Sequence, residues 1–115
     1  MAETTKIYSV NITQNAENDL DEIILYIAQD SAQTALKILD RLQKKIYSLK
    51  NYPERGRWVP ELLDKNIKDY RELIESPWRI IYKIDNNDVY ILMVIDGRRN
   101  VSDILMKKLI KGGIK

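Results

Sequence analysis

The chain has 115 residues, 44% of them hydrophobic and 31% charged, with a formal net charge of +2 and neither cysteine nor histidine. These values fit one globular domain over residues 1–115 and exclude a disordered, collagen-like or low-complexity chain. Without cysteine or histidine there is no disulfide framework, and a zinc or soft-metal site would have to be built from carboxylates alone, so neither a structural metal nor a cofactor is expected.

No apolar run approaches the roughly 18 residues that cross a bilayer, and the opening "MAETTK" lacks the hydrophobic region of a secretory signal. A cytoplasmic protein with no membrane role is the expectation. A charge of +2 does not indicate a nonspecific polycation, so the placement of the charges matters more than their sum.

Along the chain, Ile7 to Ile12 carries Tyr8, Val10 and Ile12 on one parity and reads as a short first strand. Thr13 or Asn15 can cap the helix that follows, Glu17 and Asp19 suit its first turn, and Ala16, Leu20, Ile23, Ile24 and Ile27 keep helical spacing over about fifteen residues. Ser31 can cap a second helix with an apolar face of Ala35, Ile38, Leu39, Leu42, Ile46 and Leu49 and a basic face of Lys37, Arg41, Lys44 and Lys45. Two amphipathic helices joined by so short a break form a hairpin that must cover something, and a sheet is the expected partner.

Pro53 stops the second helix, and "NYPERGRWVPELL" reads as a loop with one short turn. Three strands follow: Tyr70–Ile74, Trp78–Ile84 and Val89–Ile95. The middle one alternates, with Trp78, Ile80, Tyr82 and Ile84 on one face and Arg79, Ile81 and Lys83 on the other, whereas the unbroken apolar run of the last indicates a central strand buried on both sides. "DNND" supports an antiparallel hairpin between these two. Asn100 or Ser102 caps a last helix carrying Val101, Ile104, Leu105 and Leu109, and Gly112-Gly113 ends it. The expected fold is α+β: an antiparallel sheet, made of a short N-terminal strand and a C-terminal three-stranded meander, packed against an N-terminal helical hairpin, with a short C-terminal helix.

Placing Trp78, Ile80, Tyr82 and Ile84 against the helices sends Arg79 and Lys83 to the opposite sheet face, where Arg71, Arg98 and Arg99 are expected to join them. Convergent guanidinium groups suit phosphate or carboxylate, from RNA, DNA or an acidic protein segment. The competing reading is a set of cross-strand pairs with Glu72, Glu75 or Asp96, each contributing roughly 0.2–1 kcal/mol. Arg55, Arg57 and Glu61 lie beside Trp58, which suits either a binding surface or a tryptophan that plugs the core. Gly97 in "DGRR" reads as a turn residue with a backbone angle closed to other residues. No phosphate-binding loop, dinucleotide fingerprint, nucleophile elbow or metalloprotease motif occurs. A proton-transfer pair working near pH 7 would need carboxylate, tyrosine or lysine groups shifted by about two or more units, with Glu61 and Tyr82 as the candidates in hand.

Taken in order, "YPERGRWVPEL", "YRELIESPWRIIYKI" and "VYILMVIDGRR", preceded by two helices, resemble the RelE/ParE superfamily of type II toxins, specifically its ParE-like plasmid-stabilisation branch. The resemblance spans Asn15 to Leu109. It implies a compact toxin held inactive by a cognate antitoxin whose extended or helical tail wraps it, with operator DNA reached only indirectly through that antitoxin. The last strand and terminal helix are then the expected docking surface, left partly exposed in the free toxin.

Members of the family differ in target. ParE-like members inhibit DNA gyrase without being hydrolases, and for them the resemblance implies a target-binding set of Arg57, Arg71, Arg79, Lys83, Arg98 and Arg99. RelE-like members enter the ribosome and cut mRNA, and for them Arg71, Arg79, Arg98 and Arg99 fall on or near catalytic or phosphate-holding positions. Against that second reading, a strand lysine of the nucleases is replaced by Leu73, and the titratable residue expected after the arginines by Leu105. Losses of this kind cost roughly 10²–10⁴-fold each in rate, so phosphate binding outlasts chemistry. The expected function is therefore gyrase inhibition, with ribosome-dependent mRNA cleavage as the alternative and a degenerate toxin acting only with its antitoxin in autoregulation as the third.

Overall fold

The computed structural model describes residues 6–112, with side chains described as far as Leu109. Its elements are β1 (Ser9–Ile12), α1 (Gln14–Ala28), α2 (Ala32–Tyr47), β2 (Arg57–Trp58), α3 (Pro60–Leu63), β3 (Arg71–Glu75), β4 (Trp78–Asp85), β5 (Asp88–Asp96) and α4 (Val101–Leu105), the last running into a π-helical segment, Met106–Gly112. The predicted order of strand, helical hairpin, meander and terminal helix is the observed one. Gly113, one half of the predicted C-terminal stop, lies outside the described residues.

The helix starts follow local chemistry. Thr13 caps α1 by accepting the Ala16 N–H, Ser31 caps α2 by accepting the Thr34 N–H, and Asn100 caps α4 by accepting the Asp103 N–H. Asp85 pairs with Asp88 across Asn86-Asn87, with Asn86 at φ 56°, a left-handed angle that asparagine tolerates.

The sheet has the order β1-β5-β4-β3-β2 and is mixed, not purely antiparallel, because β1 pairs with β5 in parallel. The loop after α2 also holds more structure than one turn, contributing the two-residue edge strand β2 and the helix α3.

Helices α1 and α2 cover one face, which we call the helix face. Its core is Ala16, Leu20, Leu42, Ile46 and Leu49 against Leu73, Ile80, Tyr82, Val89, Ile91 and Val94. The far face is covered as well, by α3 and α4: Val59, Leu62, Val101 and Leu105 pack on Ile81, Leu92, Met93 and Ile95. A bulge makes this possible. Ile81 pairs with Met93 and Tyr82 with Ile91, so Leu92 is an extra residue in β5, and both Leu92 and Met93 reach the far-face cluster. The central strand β5 is buried on both sides, as its apolar run predicts.

β1 pairs with β5 only as far as Ile91, and α1 takes over from there. The Thr13 hydroxyl donates to the Ile91 carbonyl at 2.7 Å, the Asn15 amide donates to the Leu92 carbonyl at 2.8 Å, and the Val94 N–H donates to the Asp19 carboxylate at 2.9 Å. Polar side chains of the first two helical turns thus satisfy ladder groups that a strand would otherwise meet.

Candidate functional site

The expected single cationic face does not form. In the β3–β4 register Arg71 pairs with Tyr82 and Leu73 with Ile80, which puts Arg71 on the helix face, while Arg79 pairs with Ile74 on the far face. Arg98 and Arg99 lie on the turn after β5, and Lys83 lines a notch at the other end of the strands with Trp58 and Arg71. The six expected residues fall into three pairs, Arg57 with Arg79 on the far face, Arg71 with Lys83 at the notch and Arg98 with Arg99 on the turn, and most of the far face is an apolar cluster.

Arg79 is the most constrained of them. Its Nε donates to Glu72 Oε1 at 2.7 Å, and Nη1 and Nη2 donate to the two oxygens of Glu61 at 2.8 and 2.6 Å. The Glu72 side chain is fully buried and accepts a further bond from Arg57 Nε at 2.6 Å. Arg57, Glu72, Arg79 and Glu61 therefore form one chain of alternating charge across β2, β3, β4 and α3. The fork from Arg79 lowers the pKa of Glu61 below the ordinary glutamate range, and the same bonds raise that of Arg79. Glu61 serves as an ion-pair partner, not as an acid–base group raised toward neutrality.

Arg71 lies over the Trp58 ring, 4.0 Å from its centre, and donates to the carbonyls of Glu54 and Gly56 at 2.9 and 2.8 Å. Trp58 is half-buried at the sheet edge, combining features of both readings proposed for it. Tyr82, the other acid–base candidate, is fully buried; its hydroxyl donates to the Pro53 carbonyl at 2.6 Å and accepts the Gly56 N–H at 3.0 Å. Burial pushes its pKa up, away from the range of a working base.

The turn "DGRR" is built differently from its expectation. Gly97 does not adopt a left-handed angle; it is favoured by close approach, since a Cβ there would stand 3.1 Å from both the Pro77 carbonyl oxygen and Arg79 Cδ, tighter than ordinary contact. Arg98 turns back onto Asp96, its Nε and Nη2 donating to the two carboxylate oxygens at 2.9 and 2.6 Å. This fork holds the Asp96 pKa down at about 2. Arg99 is exposed and has no carboxylate partner among the described residues.

These two arginines rim a cleft of about 590 Å³ between the helical hairpin and the ends of β4 and β5. Its walls include Ile23, Tyr26 and Ile27 of α1, Ile38 of α2, and Trp78 of β4. Tyr26 is 76% exposed, and Leu25 and Leu36 on the same two helices are 68% and 65% exposed. The hairpin thus carries the larger share of the exposed apolar side chains, with Ile7, Tyr52, Leu63 and Ile74 exposed elsewhere. Of the last strand and terminal helix, where a docking surface was expected, Leu92, Met93, Ile95, Val101 and Leu105 pack in the fold's own core, while Val94, Ile95, Ile104, Lys107 and Lys108 line a smaller cleft with Asp19 and Glu22.

Tyr26 did not stand out in the sequence because it falls outside the α1 apolar stripe. The available signal was that "ILYIA" is apolar all round, which a helix with only one buried face does not need.

The comparisons agree with this architecture. The family profile described as "ParE toxin of type II toxin-antitoxin system, parDE" matches residues 10–101. Toxin ParE3 of Caulobacter vibrioides is 28% identical over 97 residues, covering 84% of this chain and 93% of that one, and Y4kP of Sinorhizobium fredii is 33% identical over 95 residues, covering 81% and 92%. Among solved structures, a chain of the chromosomal ParDE system from P. aeruginosa superposes with a TM-score of 0.65 at 21% identity, covering 80% of this chain and 98% of that one. A chain of the RelBE2 toxin–antitoxin complex from Mycobacterium tuberculosis gives 0.60 at 21% identity, covering 83% and 97%. With a profile match over most of its length, two helices against a five-stranded sheet, and this loop and turn order, the chain belongs to the ParE toxin family of type II toxin–antitoxin systems, within the RelE/ParE superfamily.

Proposed function

We propose that this toxin acts by binding DNA gyrase and not by cutting RNA, and that a cognate antitoxin silences it by occupying the hairpin cleft. The observation that carries the first part is the engagement of Arg79. A nuclease needs strand arginines free to hold phosphate and a titratable group beside them, whereas Arg79 is closed by two carboxylates and Tyr82 and Glu61 are committed to internal bonds. Binding to a protein target requires neither.

The cleft supports the second part. An apolar floor with Arg99 at its rim, beside the Arg98–Asp96 pair and Glu22, fits an amphipathic segment that sets an acidic residue against Arg99, and the exposed Tyr26 is the type of side chain that dominates binding energy at interfaces. Operator DNA would then be met only through the antitoxin.

Two assays on the purified toxin test the target. Gyrase supercoiling should be blocked while ribosome-bound mRNA stays intact. Cleavage of mRNA in the ribosomal A site without effect on gyrase would overturn the reading, and failure to affect either would point to a toxin that survives only as a partner of its antitoxin.

A further inference from the structure

At the end of the sheet opposite the hairpin cleft, β4 outruns its neighbour. The last pair between β3 and β4 is Arg71 with Tyr82, so Lys83, Ile84 and Asp85 pair with β5 on one side only. This step leaves a notch of about 550 Å³ beside the open strand edge, with Trp58 and Arg71 in its wall.

Arg71 is locked from one side. It lies on the Trp58 ring at 4.0 Å, and Nη1 alone donates to both loop carbonyls, of Glu54 and Gly56. Nε and Nη2 have no partner among the described residues, where no buried side-chain donor goes unpaired, so this edge of the guanidinium opens to solvent. Two parallel donors whose orientation is already fixed match a carboxylate with little freedom left to lose. Neither Arg71 nor Lys83 enters an ion pair among the described residues. The carboxylates of the notch stand further out: Glu54, Asp69 and Asp85 are exposed, as is Lys68, whereas Arg71 and Lys83 are half-buried. Charge is balanced overall but sorted by depth, positive within and mainly negative at the rim.

We infer that this notch is the surface through which the toxin grips its protein target, taking an extended segment that sets an aspartate or glutamate against the Arg71 fork and a basic side chain against the rim. The open edge of β4 accounts for the extended form, since unpaired strand groups accept another strand. Tryptophan and arginine are also the side chains that most often carry interface energy. The inference rests on the reading of this chain as a binder of a protein target. It separates that target from the antitoxin cleft, because Trp78 in the cleft and Ile84 in the notch stand near opposite ends of β4, roughly 20 Å apart at about 3.3 Å per residue.

Two arms test it. In the first, the isotope-labelled toxin is titrated by NMR with an N-acetylated, C-amidated hexapeptide of β-forming residues carrying a glutamate beside a lysine at its centre. The same peptide with glutamine for the glutamate is the comparison. The glutamate peptide should bind at least about tenfold more tightly, with shifts centred on the Trp58 indole and on Lys83, Ile84 and Asp85. Arg71→Lys keeps the charge but loses the fork, and it should abolish the preference. Because Nη1 also ties down the loop, Lys83→Gln serves where the Arg71 variant does not fold, and it should reduce the preference. Equal binding of the two peptides by wild type would overturn the inference, as would shifts centred on Tyr26 and Ile38 in the hairpin cleft.

The second arm measures gyrase supercoiling. Arg71→Lys should raise the toxin concentration for half-inhibition by at least about tenfold while binding antitoxin as wild type does. Unchanged inhibition would overturn the inference, since the target would then dock elsewhere. So would loss of antitoxin binding in step with loss of inhibition, which would make the notch part of the antitoxin's seat. A wild-type toxin without effect on gyrase removes gyrase as the target, and the peptide arm then decides the notch by itself.

Discussion

Tyr82, fully buried on β4, and Gly56, in the loop before β2, share a 3.0 Å hydrogen bond that fixes the whole Pro53–Trp58 segment to the sheet. The same hydroxyl donates to the Pro53 carbonyl, so one phenol satisfies two loop backbone groups. There is no room for more at Gly56: a Cβ would meet the Tyr82 oxygen at 2.2 Å and the Glu72 carbonyl oxygen at 2.8 Å. Gly56→Ala should therefore destabilise by about 1–3 kcal/mol through overpacking. Tyr82→Phe should cost a similar 1–3 kcal/mol by leaving buried backbone groups without a partner. Urea denaturation with linear extrapolation measures both, and a loss under about 0.5 kcal/mol in either would contradict this account.

The Arg79–Glu72 pair is a structural commitment of the far face. Glu72→Gln removes the charge that two arginines share, and because its side chain is fully buried the expected loss is about 3–5 kcal/mol. Thermal melting of that variant beside Arg57→Gln, which alters a side chain that is itself 59% exposed, should show the first as severe and the second as mild.

Stability should fall in acid with a slope that Glu61 helps to set. Its folded-state pKa is depressed below the ordinary 4.5, so its contribution is present above that value and is lost as pH drops through the folded pKa. Asp96, at about 2, acts in the same direction in a lower window. Asp19 acts oppositely, since burial raises its pKa and its effect favours folding as pH falls toward its ordinary value of 3.8. Melting temperatures between pH 6 and pH 2.5 should decline, and Glu61→Gln should flatten the decline below about pH 4.5. An unchanged slope in that variant would remove Glu61 from the account.

The cleft makes a different kind of prediction, because its residues serve binding more than folding. Tyr26→Ala should weaken antitoxin association by about 2 kcal/mol or more, mainly through faster dissociation, while leaving the melting temperature close to wild type. Arg98→Ala with Arg99→Ala should slow association and reduce its salt dependence. Surface plasmon resonance with immobilised antitoxin at two ionic strengths separates these effects. Wild-type kinetics in all variants would mean that the antitoxin docks elsewhere.

Much of the fold is legible because its periodicities are clean. The alternation from Trp78 to Ile84 assigns the two faces of β4 correctly, and the caps Thr13, Ser31 and Asn100 mark three helix starts. The face of β3 is not legible in the same way. In "YRELIE" both parities carry apolar residues, and the buried Glu72 stands where an apolar side chain would have revealed the register. Reading Arg71 and Arg79 onto one face followed from that ambiguity. The bulge at Leu92 is hidden too, inside a run that is apolar at every position, so nothing local marks the extra residue. For the candidate site, residue type pointed to the arginines, but whether each meets solvent or a carboxylate depends on long-range pairing such as Glu61 with Arg79, eighteen positions apart.

The central claim is that this toxin binds a protein target and does no phosphodiester chemistry. The most direct measurement adds the purified chain to gyrase supercoiling reactions and, in parallel, to ribosomes programmed with a defined mRNA. The account predicts inhibition of supercoiling and full-length mRNA. Inhibitor-free supercoiling with mRNA cut in the A site would contradict it.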